Sequence, residues 1–416
     1  MSEELQVWYG DERVGRLRRA GDGMVFDYAA GWLAAGAAFA LSQSIPLGPG
    51  AHSGPAVQNF FANLLPEGAL RQSLARRLGL SPDNDFALLA ALGADCAGAL
   101  QILPAGEQPQ IANGAAQALS AAEWRRLLAD PPVLAGLAEG GRLRLSLAGA
   151  QDKLPVVLLD GAPALPAPGA ASSHLVKFAS RDYAQLPANE VYCSRLARAA
   201  GLEAVAAELI RLGGQEVCLT RRYDRHVRAG RVERRHQEDF CQALGVSHRR
   251  KYEQEGGPGF ADCFRLLERV SAEPLSDVEQ LLRWLIFNLL LGNADGHAKN
   301  LSLLHSTAGG WRLAPCYDLV CTAAYPRLDR RAAMAVGGQA DPGQVGRRHW
   351  ERLAERVGVG RAFLLGEVRS LAERLPTLAV EQAAAFAAHH GDHPILPPIR
   401  RALRRRTRRC LQLLQT

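Results

Sequence analysis

An aspartate and an asparagine five residues apart are the pair most capable of chemistry in this sequence. They are Asp295 and Asn300, at the two ends of Asp-Gly-His-Ala-Lys-Asn, shortly after the strongly apolar segment Leu281 to Leu291. A carboxylate can accept the proton of an attacking hydroxyl, and an amide oxygen can hold a metal ion. The spacing is that of the catalytic loop of protein kinases. We favour this interpretation over a pair of polar turns because His297 and Lys299 crowd the same loop.

A second aspartate, Asp318, follows Asn300 at a distance of 18 residues, directly after Tyr317 and behind two strand-like segments. Magnesium prefers hard oxygen ligands. Asn300 and Asp318 are therefore the candidate ligands for a Mg²⁺ ion that bridges ATP phosphates. The alternative is an aspartate that only caps a turn.

Lysine is scarce, and its scarcity is informative. Only four of the 49 basic residues are lysines, namely Lys153, Lys177, Lys251 and Lys299. A slim point charge reaches into a phosphate site where the wide guanidinium fork does not fit, although random survival of four lysines is the plain alternative. Lys177 stands in the apolar segment His174 to Phe178, as the phosphate-pairing lysine of kinases does, and its charge needs an anionic partner there. Glu190 is either that partner or a first-turn residue of the next helix.

The turn Ala148-Gly-Ala-Gln-Asp-Lys153 joins two predicted strands and offers backbone N–H groups to a phosphate. It contains one glycine and matches neither G-x-G-x-x-G nor the Walker pattern, so alone it is a weak signal. Ser146 lies on the polar face of the strand that enters this turn, where it is either a reachable hydroxyl or an ordinary surface serine. Lys251, which precedes Gly256-Gly-Pro-Gly259, is interpreted as structural, with the alternative that this stiff loop frames a site.

Composition places the chain among globular proteins with more than one packed unit. It has 416 residues, of which 48% are apolar and 22% charged. Eight cysteines without a C-x-x-C pair predict reduced thiols rather than a zinc or disulfide framework. The amino terminus lacks the basic start of a signal peptide, and no apolar run is long enough to span a bilayer. We therefore predict a cytoplasmic protein that does not use a membrane.

Seven arginines between Arg400 and Arg409 equal the whole net charge of +7. A uniformly basic nucleic-acid-binding surface is therefore not expected. We favour a solvated face of the last helix over a role in contacting phosphate or a partner.

Apolar periodicity predicts a β-hairpin at the amino terminus, from residue 5 to residue 18, and further elements behind it. The predicted helices are Ala56 to Glu67, Ala69 to Leu78, Asp85 to Leu92, Asn189 to Ala200 and the buried Leu281 to Leu291. The predicted strands are 142–147, Leu154 to Leu159, His174 to Phe178, Ala206 to Arg211 and Glu216 to Thr220, with a linker from Pro104 to Ala118 and a loop from Asp160 to Ser173. The chain after Arg225 is predicted to be mainly helical.

Taken together, these motifs resemble the HipA family of serine/threonine kinase toxins from bacterial type II toxin–antitoxin modules. The likeness begins near residue 6, includes Phe60 to Glu67, and covers nearly the whole chain. The motifs that carry it are Ser146 to Lys153, Asn189-Glu190, Arg222-Tyr-Asp-Arg225, Gln237-Glu-Asp239, Lys251-Tyr-Glu with Gly256-Gly-Pro-Gly259, Asn293 to Asn300 and Tyr317-Asp318.

The resemblance implies an α+β, kinase-like two-lobed fold, with small antiparallel sheets in a mixed α/β amino-terminal part, an all-α carboxy-terminal lobe, and ATP bound between them. The implied regions are a HipA-type subdomain at 1–103, a linker and connecting helix at 104–140, a kinase-like lobe at 141–225 and a helical lobe at 226–416.

The resemblance also implies a role for each site residue. Asp295 would be the catalytic base, Asn300 and Asp318 the Mg²⁺ ligands, Lys177 the ATP-phosphate lysine, and Ser146 the autophosphorylation site. Gly149 to Lys153 would form the phosphate loop, and Arg221 to Tyr223 the adenine hinge. The residues implied to contact ATP are Ala148, Gly149, Ala150, Gln151, Lys153, Lys177, Arg221, Arg222, Tyr223, His297, Lys299, Asn300, Tyr317 and Asp318.

Partners follow from the same resemblance. Family members phosphorylate glutamyl-tRNA synthetase, arrest translation, and are restrained by the helix-turn-helix antitoxin HipB, which ties the pair to operator DNA. We therefore expect a HipB-like antitoxin, glutamyl-tRNA synthetase as substrate, and operator DNA contacted mainly through the antitoxin. Two rivals stay open: an inactive ATP-binding pseudokinase that acts as co-repressor, and a kinase with another translation component as target.

The sequence departs from the expected pattern at two positions. Arg221 stands where a glutamate is expected at the hinge, which alters the charge beside a backbone contact to adenine. Asn293-Ala-Asp295 replaces the His-Arg-Asp of ordinary protein kinases, so another group has to fill the structural role of that histidine. Neither change removes a group that phosphoryl transfer requires.

Overall fold

The structure is a computed structural model that describes residues 3–21, 23–109, 116–129, 153–167, 169–179, 182–228, 231–306 and 309–415. The chain divides into two compact units. The first comprises Met1–Phe178, Arg211–Gln215 and Arg221–Arg249, and the second comprises Ala179–Ile210, Glu216–Thr220 and Arg250–Thr416. The predicted strand 142–147, with Ser146, and the turn residues Ala148 to Gln151 lie outside the described residues.

The first unit opens with a five-stranded antiparallel sheet in the order β4-β3-β2-β1-β5. Its strands are β1 (Glu4–Tyr9), β2 (Glu12–Ala20), β3 (Gly23–Tyr28), β4 (Ala51–Ser53) and β5 (Leu100–Pro104). The predicted amino-terminal hairpin is confirmed, with Tyr9 opposite Glu12 at its turn. Alternation along β1 buries Leu5 and Val7 completely, so one face of this sheet forms a core.

Short helices cover that core. They are α1 (Ala30–Ala34), α2 (Pro55–Asn63), α3 (Gly68–Arg77) and α4 (Asp85–Leu92). The prediction that the helix from Ala56 runs to Glu67 is wrong, because it ends at Asn63. A residue that precedes proline is disfavoured in α geometry, and Pro66 follows Leu65 here.

A second sheet of the first unit holds β6 (Gln117–Ala118), β7 (Lys153–Leu159), β8 (Ala162–Leu165) and β9 (His174–Lys177), with β7 pairing both β8 and β9. The expectation of a continuous loop from Asp160 to Ser173 is wrong, since β8 forms inside it. Asp160 and Gly161 have φ of 50° and 81°, which is the geometry of a two-residue hairpin turn. The unit also contains α5 (Ala121–Ala129), β12 (Arg225–Arg228), β13 (Arg231–Arg234), β14 (Gln237–Asp239) and α7 (Phe240–Ala243).

Helices make up most of the second unit. They are α6 (Leu186–Ala199), α8 (Phe260–Val270), α9 (Pro274–Leu291), α10 (Arg347–Val357), α11 (Arg361–His390) and α12 (Leu396–Leu413). The hairpin β15 (Ser302–His305) and β16 (Trp311–Leu313) lies among them, and most residues of β10 (Ala207–Leu212) and β11 (Gln215–Arg221) belong to this unit. The predicted buried helix is confirmed in α9, where Leu281 and Leu291 are fully buried.

This mixture of small antiparallel sheets and helices confirms the predicted α+β class. All eight cysteines are free and buried, as their single spacing predicts. None of the helices in the described ranges is long and apolar enough to cross a membrane.

Candidate active site

The loop with Asp295 begins where α9 ends, at Gly292. This glycine has φ of +80° and its N–H donates to Asn288 O at 3.0 Å, which closes the helix in a left-handed cap. A Cβ atom here would lie 2.7 Å from the Cβ of Ala323 and 2.6 Å from Nε of Arg406. Both the conformation and the space therefore require glycine, and the direction in which the loop leaves the helix is fixed.

Asn293 then orders the loop. Its Nδ2 donates to Asn288 Oδ1 at 2.8 Å, and its Oδ1 accepts the backbone N–H of Asp295 at 3.0 Å. From the other side Thr322 accepts the N–H of Ala294 at 2.8 Å. Asn293 stands where ordinary protein kinases have histidine, and its amide orders the backbone between Asn288 and Asp295.

Asp295 presents its carboxylate to solvent from this rigid backbone, because its side chain is 55% exposed. Oδ1 accepts a hydrogen bond from the hydroxyl of Tyr252 and lies 3.6 Å from Nε2 of His297. The ring of His297 is buried and packs edge-on against Tyr252, with 5.1 Å between ring centroids. A carboxylate that is exposed yet oriented by two neighbours suits a group that accepts a proton from a substrate hydroxyl.

Tyr252 is not among the predicted site residues, because the sequence motif around it is interpreted as structural or as the frame of a site. That motif holds the tyrosine rigidly: the N–H of Glu253 donates to Ala333 O at 3.1 Å, and a Cβ at Gly257 would lie 2.1 Å from Arg250 O. The sequence did contain a signal for this residue, since Lys251-Tyr-Glu is one of the motifs that carry the family resemblance.

Asn300 and Asp318 are joined through Tyr317. The hydroxyl of Tyr317 donates to Lys299 O at 2.6 Å and accepts from Ser302 Oγ at 2.7 Å. The turn before Asp318 is therefore attached to the 3₁₀ turn Ala298–Asn300. The structure thus brings Asp295, Asn300 and the predicted second aspartate into one connected set of turns.

The donor chemistry of these two residues fits magnesium. Nδ2 of Asn300 donates to Asp295 O at 2.8 Å, and no group of the described chain donates a hydrogen bond to its Oδ1. Asp318 has φ of 54°, a conformation that aspartate tolerates and that clusters at functional sites. No group of three or more His, Cys, Asp or Glu able to hold a metal occurs in the described ranges. Two hard oxygen donors, completed by phosphates and water, are what Mg²⁺ usually takes from a protein.

Both sides of the Asp318 turn are anchored within the second unit. Before it, the N–H of Cys316 donates to Glu203 O at 2.7 Å, and the N–H of Val205 donates to Cys316 O at 2.9 Å. After it, the buried amide of Asn189 accepts from Cys321 N at 2.9 Å and donates to Cys321 O at 3.2 Å. The left-handed aspartate is therefore held by the fold on both flanks.

In the first unit, the antiparallel register places Lys153 directly opposite Lys177. Directly opposed residues point to the same face of a sheet, with Cβ atoms about 4.5 to 5.5 Å apart. Lys177 is only 3% exposed, and the pair places two positive charges on one face of the sheet.

The predicted hinge residues differ in their surroundings. Arg221 is exposed, and Tyr223 donates its hydroxyl to Gln237. The guanidinium of Arg222 is engaged within the fold, since it donates to both oxygens of Asp224 and to Ser172 Oγ. Its N–H donates to Ser173 O at 3.0 Å, so neither group is available to a nucleotide in this arrangement.

Arg222 belongs to a buried ion cluster of the first unit, whose members are Asp95, Arg222, Asp224, Arg225 and Arg234. Burial alone would raise the pKa of Asp224, but the charges of Arg222 and Arg225 lower it to about 2. The charges of Arg234, Arg225 and Arg222 likewise lower the pKa of Asp95, so the carboxylates of Asp95 and Asp224 are both ionised. The cluster holds Arg222 in place within the predicted hinge.

The structure gives the positions of Glu190 and Lys251, whose roles the sequence left open. Glu190 is fully buried as the fifth residue of α6, because the helix begins at Leu186 and not at Asn189. The interpretation of Glu190 as a first-turn residue is therefore wrong. Lys251 stays beside the site loop, with its Nζ 5.9 Å from the ring centroid of Tyr252.

The second unit holds an exposed, oriented carboxylate and two joined oxygen donors, and the first unit holds two opposed lysines. Together with the α+β fold, these features define a protein of the kinase-like class. Comparison with known proteins then identifies the family. Residues 5–103 match the HipA N-terminal domain, and residues 145–384 match the HipA-like C-terminal domain. The chain belongs to the HipA family.

Individual relatives agree with this assignment. The chain is 42% identical over 375 residues to a putative kinase, Y4mE, of Sinorhizobium fredii, with 89% of each chain covered. It is 32% identical to the serine/threonine-protein kinase toxin HipA of Shewanella oneidensis, with 93% of each covered. A solved complex of Shewanella oneidensis HipA, HipB and operator DNA matches with a TM-score of 0.86 and 30% identity, covering 99% of this chain and 98% of that one.

Proposed function

We propose that this protein is a toxin kinase that transfers the γ-phosphate of ATP to a serine or threonine hydroxyl of another protein. The observation that carries the proposal is the set of joined turns of the second unit. Within it the carboxylate of Asp295 is exposed, its backbone is fixed by Asn293 and Asn300, and the Asp318 turn is attached through Tyr317.

The proposed step is an in-line transfer. The substrate hydroxyl gives its proton to Asp295 as its oxygen bonds to the γ-phosphorus, and the bond from that phosphorus to the bridging oxygen of ADP breaks. Mg²⁺, held by Asn300 and Asp318, would neutralise charge on the phosphate oxygens. Lys177 and Lys153 are proposed to contact the phosphates, because both stand on one face of their sheet.

The wider assignment of ATP contacts rests on the family membership. It includes His297, Lys299, Tyr317, the turn from Ala148 to Gln151 and the hinge Arg221 to Tyr223. Because the N–H and the guanidinium of Arg222 are engaged within the fold, the hinge contacts are proposed to come from its other backbone groups. Ser146 is proposed as an autophosphorylation site: a phosphate there adds about −1.5 to −2 charges next to the phosphate turn and lowers ATP affinity. Intact-mass analysis after incubation with Mg·ATP should show a phosphate that is absent from Ser146→Ala.

We further propose a HipB-like antitoxin as partner, operator DNA reached mainly through it, and glutamyl-tRNA synthetase as substrate. Support for the partner comes from the solved relative, whose complex contains HipA, HipB and operator DNA. Support for the substrate is the family membership alone. Phosphoproteomics after induction, with Asp295→Ala as reference, would identify the target directly.

Transfer of ³²P from [γ-³²P]ATP tests the function. We expect the wild type to label glutamyl-tRNA synthetase, and Asp295→Asn to lose turnover by at least ~10²-fold while ATP affinity changes little, because only the proton acceptor is removed. Retained turnover in Asp295→Asn would remove this residue from its role. A wild type that binds ATP but labels no protein would establish the rival pseudokinase.

A further inference from the structure

The last helix, α12, carries a strongly basic surface. Along α12 the residues Ile399, Leu403 and Cys410 are buried against the second unit. The residues exposed on the opposite side are Pro397, Arg401, Arg404, Arg405, Arg408, Arg409 and Gln412. We call Arg401, Arg404, Arg405, Arg408 and Arg409 the arginine face.

No acidic residue of the described ranges forms an ion pair with this face. The seven arginines of α12 equal the whole excess of 49 basic over 42 acidic residues in the chain. Within the described residues, no carboxylate lies within ion-pair distance of Arg401, Arg404, Arg405 or Arg408. The two preceding helices differ, since Arg347 pairs with Glu351 and Arg361 with Glu355 there.

Such an arrangement is unfavourable without a ligand. Arg401 and Arg405, and likewise Arg404 and Arg408, are four residues apart, so their like charges are neighbours on the helix surface. The face is continuous over two turns, about 12 Å at a rise of about 1.5 Å per residue. A polyanion with charges spaced regularly along its length would relieve the repulsion.

Instead of the solvated face favoured from the sequence alone, we propose that the arginine face binds the phosphodiester backbone of a nucleic acid. The guanidinium fork matches phosphate oxygens in a bidentate manner. The face offers no aromatic side chain to stack on a base, so we expect contacts to phosphates without sequence preference. A membrane is disfavoured, because the apolar side of α12 is buried in the protein. An acidic protein is disfavoured, because the face lacks the apolar centre of a protein interface.

Fluorescence anisotropy with the full-length protein tests the proposal. The probes are a 30-base-pair duplex DNA of arbitrary sequence and an unmodified tRNA, each titrated from 50 to 200 mM NaCl. The test variant replaces Arg401, Arg404, Arg405 and Arg408 by glutamine, which keeps helix propensity. The matched control replaces the exposed Arg76, Arg77, Arg369 and Arg374 by glutamine and removes the same charge. Arg406 and Arg409 stay, since Arg406 packs at Gly292 and Arg409 donates to Gly343 O.

We expect the wild type and the control to bind at 50 mM NaCl. The arginine-face variant should bind at least tenfold more weakly, and its slope of log affinity against log salt should be shallower by about 3 to 4 on DNA, at about 0.9 per lost phosphate contact. Stronger binding of one probe by the wild type would identify duplex DNA or RNA as the source of the phosphates.

Absence of binding by the wild type at 50 mM NaCl would overturn the proposal, and so would equal losses of affinity in the arginine-face variant and the control. If the arginine-face variant kept its nucleic-acid binding but no longer bound polyglutamate, the face would be assigned to an acidic protein instead. The Asp295→Asn protein should bind both probes like the wild type, so failure of the kinase proposal would leave this inference intact.

Discussion

At the scale of single residues, the catalytic assignment depends on how one carboxylate is oriented. The backbone N–H of Asp295 is held by Asn293, its carbonyl accepts from Asn300, and its Oδ1 accepts from Tyr252. Each hydrogen bond reduces the freedom of a group that is otherwise exposed. A proton acceptor works best when it is already oriented before the substrate arrives.

Removal of the hydroxyl of Tyr252 should therefore slow transfer without weakening ATP binding. Tyr252→Phe keeps the ring that packs on His297 but loses the donor to Asp295. We expect kcat to fall about tenfold, the usual consequence of losing a hydrogen bond to a charged group, with the KM for ATP unchanged. Steady-state kinetics measure this split.

Tyr9→Phe is the matched control, because the hydroxyl of Tyr9 makes no hydrogen bond within the described residues. This control variant should leave kcat unchanged. A Tyr252→Phe enzyme as fast as the wild type would show that Tyr252 does not position the base.

Lysine rather than arginine should be required at position 177. Lys177 is buried in β9 opposite Lys153, and a planar guanidinium is wider than the ammonium group that it would replace at this buried position. We expect Lys177→Arg to lose at least about tenfold in kcat/KM for ATP, although its charge is kept. Lys251→Arg, at the lysine interpreted as structural, should keep most of the rate. Equal activity of both variants would mean that the scarcity of lysine carries no functional information.

At the scale of elements, the end of α9 determines where the catalytic loop starts. The helix is held in the unit by its apolar side chains, and Gly292 turns the chain in a left-handed cap against Ala323 and Arg406. The loop and α12 therefore meet at this glycine. A change of backbone direction there moves every residue up to Asn300.

Gly292→Ala tests the left-handed cap that joins α9 to the loop with Asp295. Positive φ costs alanine about 1 kcal/mol, and the contact of 2.7 Å with Ala323 adds to that cost. We expect a lower melting temperature together with a fall in kcat. Gly296→Ala is the control in the same loop, because its Cβ would find ordinary contacts at 3.5 Å or more. Similar losses in both variants would argue against a special role for the cap.

At the scale of the whole molecule, stability should respond to pH through a buried carboxyl. Glu238 is fully buried in β14 and accepts from Ser42 at 2.5 Å and from the N–H of Gln43 at 3.0 Å. Burial raises the pKa of Glu238 from 4.5 to about 8, although these hydrogen bonds act in the opposite direction. The folded state therefore binds one more proton than the unfolded state between those two values.

The free energy of unfolding should consequently decrease as pH rises through this window, by at most about 1.4 kcal/mol per pH unit from this group. Glu238→Gln removes the contribution, so the stability of the variant relative to the wild type should increase from pH 5 to pH 8 and then level off. Urea unfolding across this range measures it. Glu233→Gln, at an exposed position of β13, is the control. A difference between Glu238→Gln and wild type that does not vary with pH would contradict the buried titration.

Sequence and structure agree best where a pattern is local. Alternation predicts the first hairpin and the apolar run predicts α9, because these elements are selected by side chains that are neighbours along the chain. Boundaries were less certain: Pro66 shortened α2, and a positive-φ pair at Asp160 and Gly161 produced a strand inside a predicted loop. Such errors arise because a turn depends on one or two residues, whereas a helix is supported by many.

The family and the residue types of the candidate site can be recognised without coordinates, from the motif with Asp295 and Asn300, the Tyr317-Asp318 pair and the four lysines. Which of these residues contact one another depends on the folded chain. Tyr252 reaches Asp295 across 43 residues of chain, Lys153 faces Lys177 across a strand pair, and Arg222 donates to Ser172, 50 residues away. These contacts join segments far apart in sequence, and no local pattern encodes them.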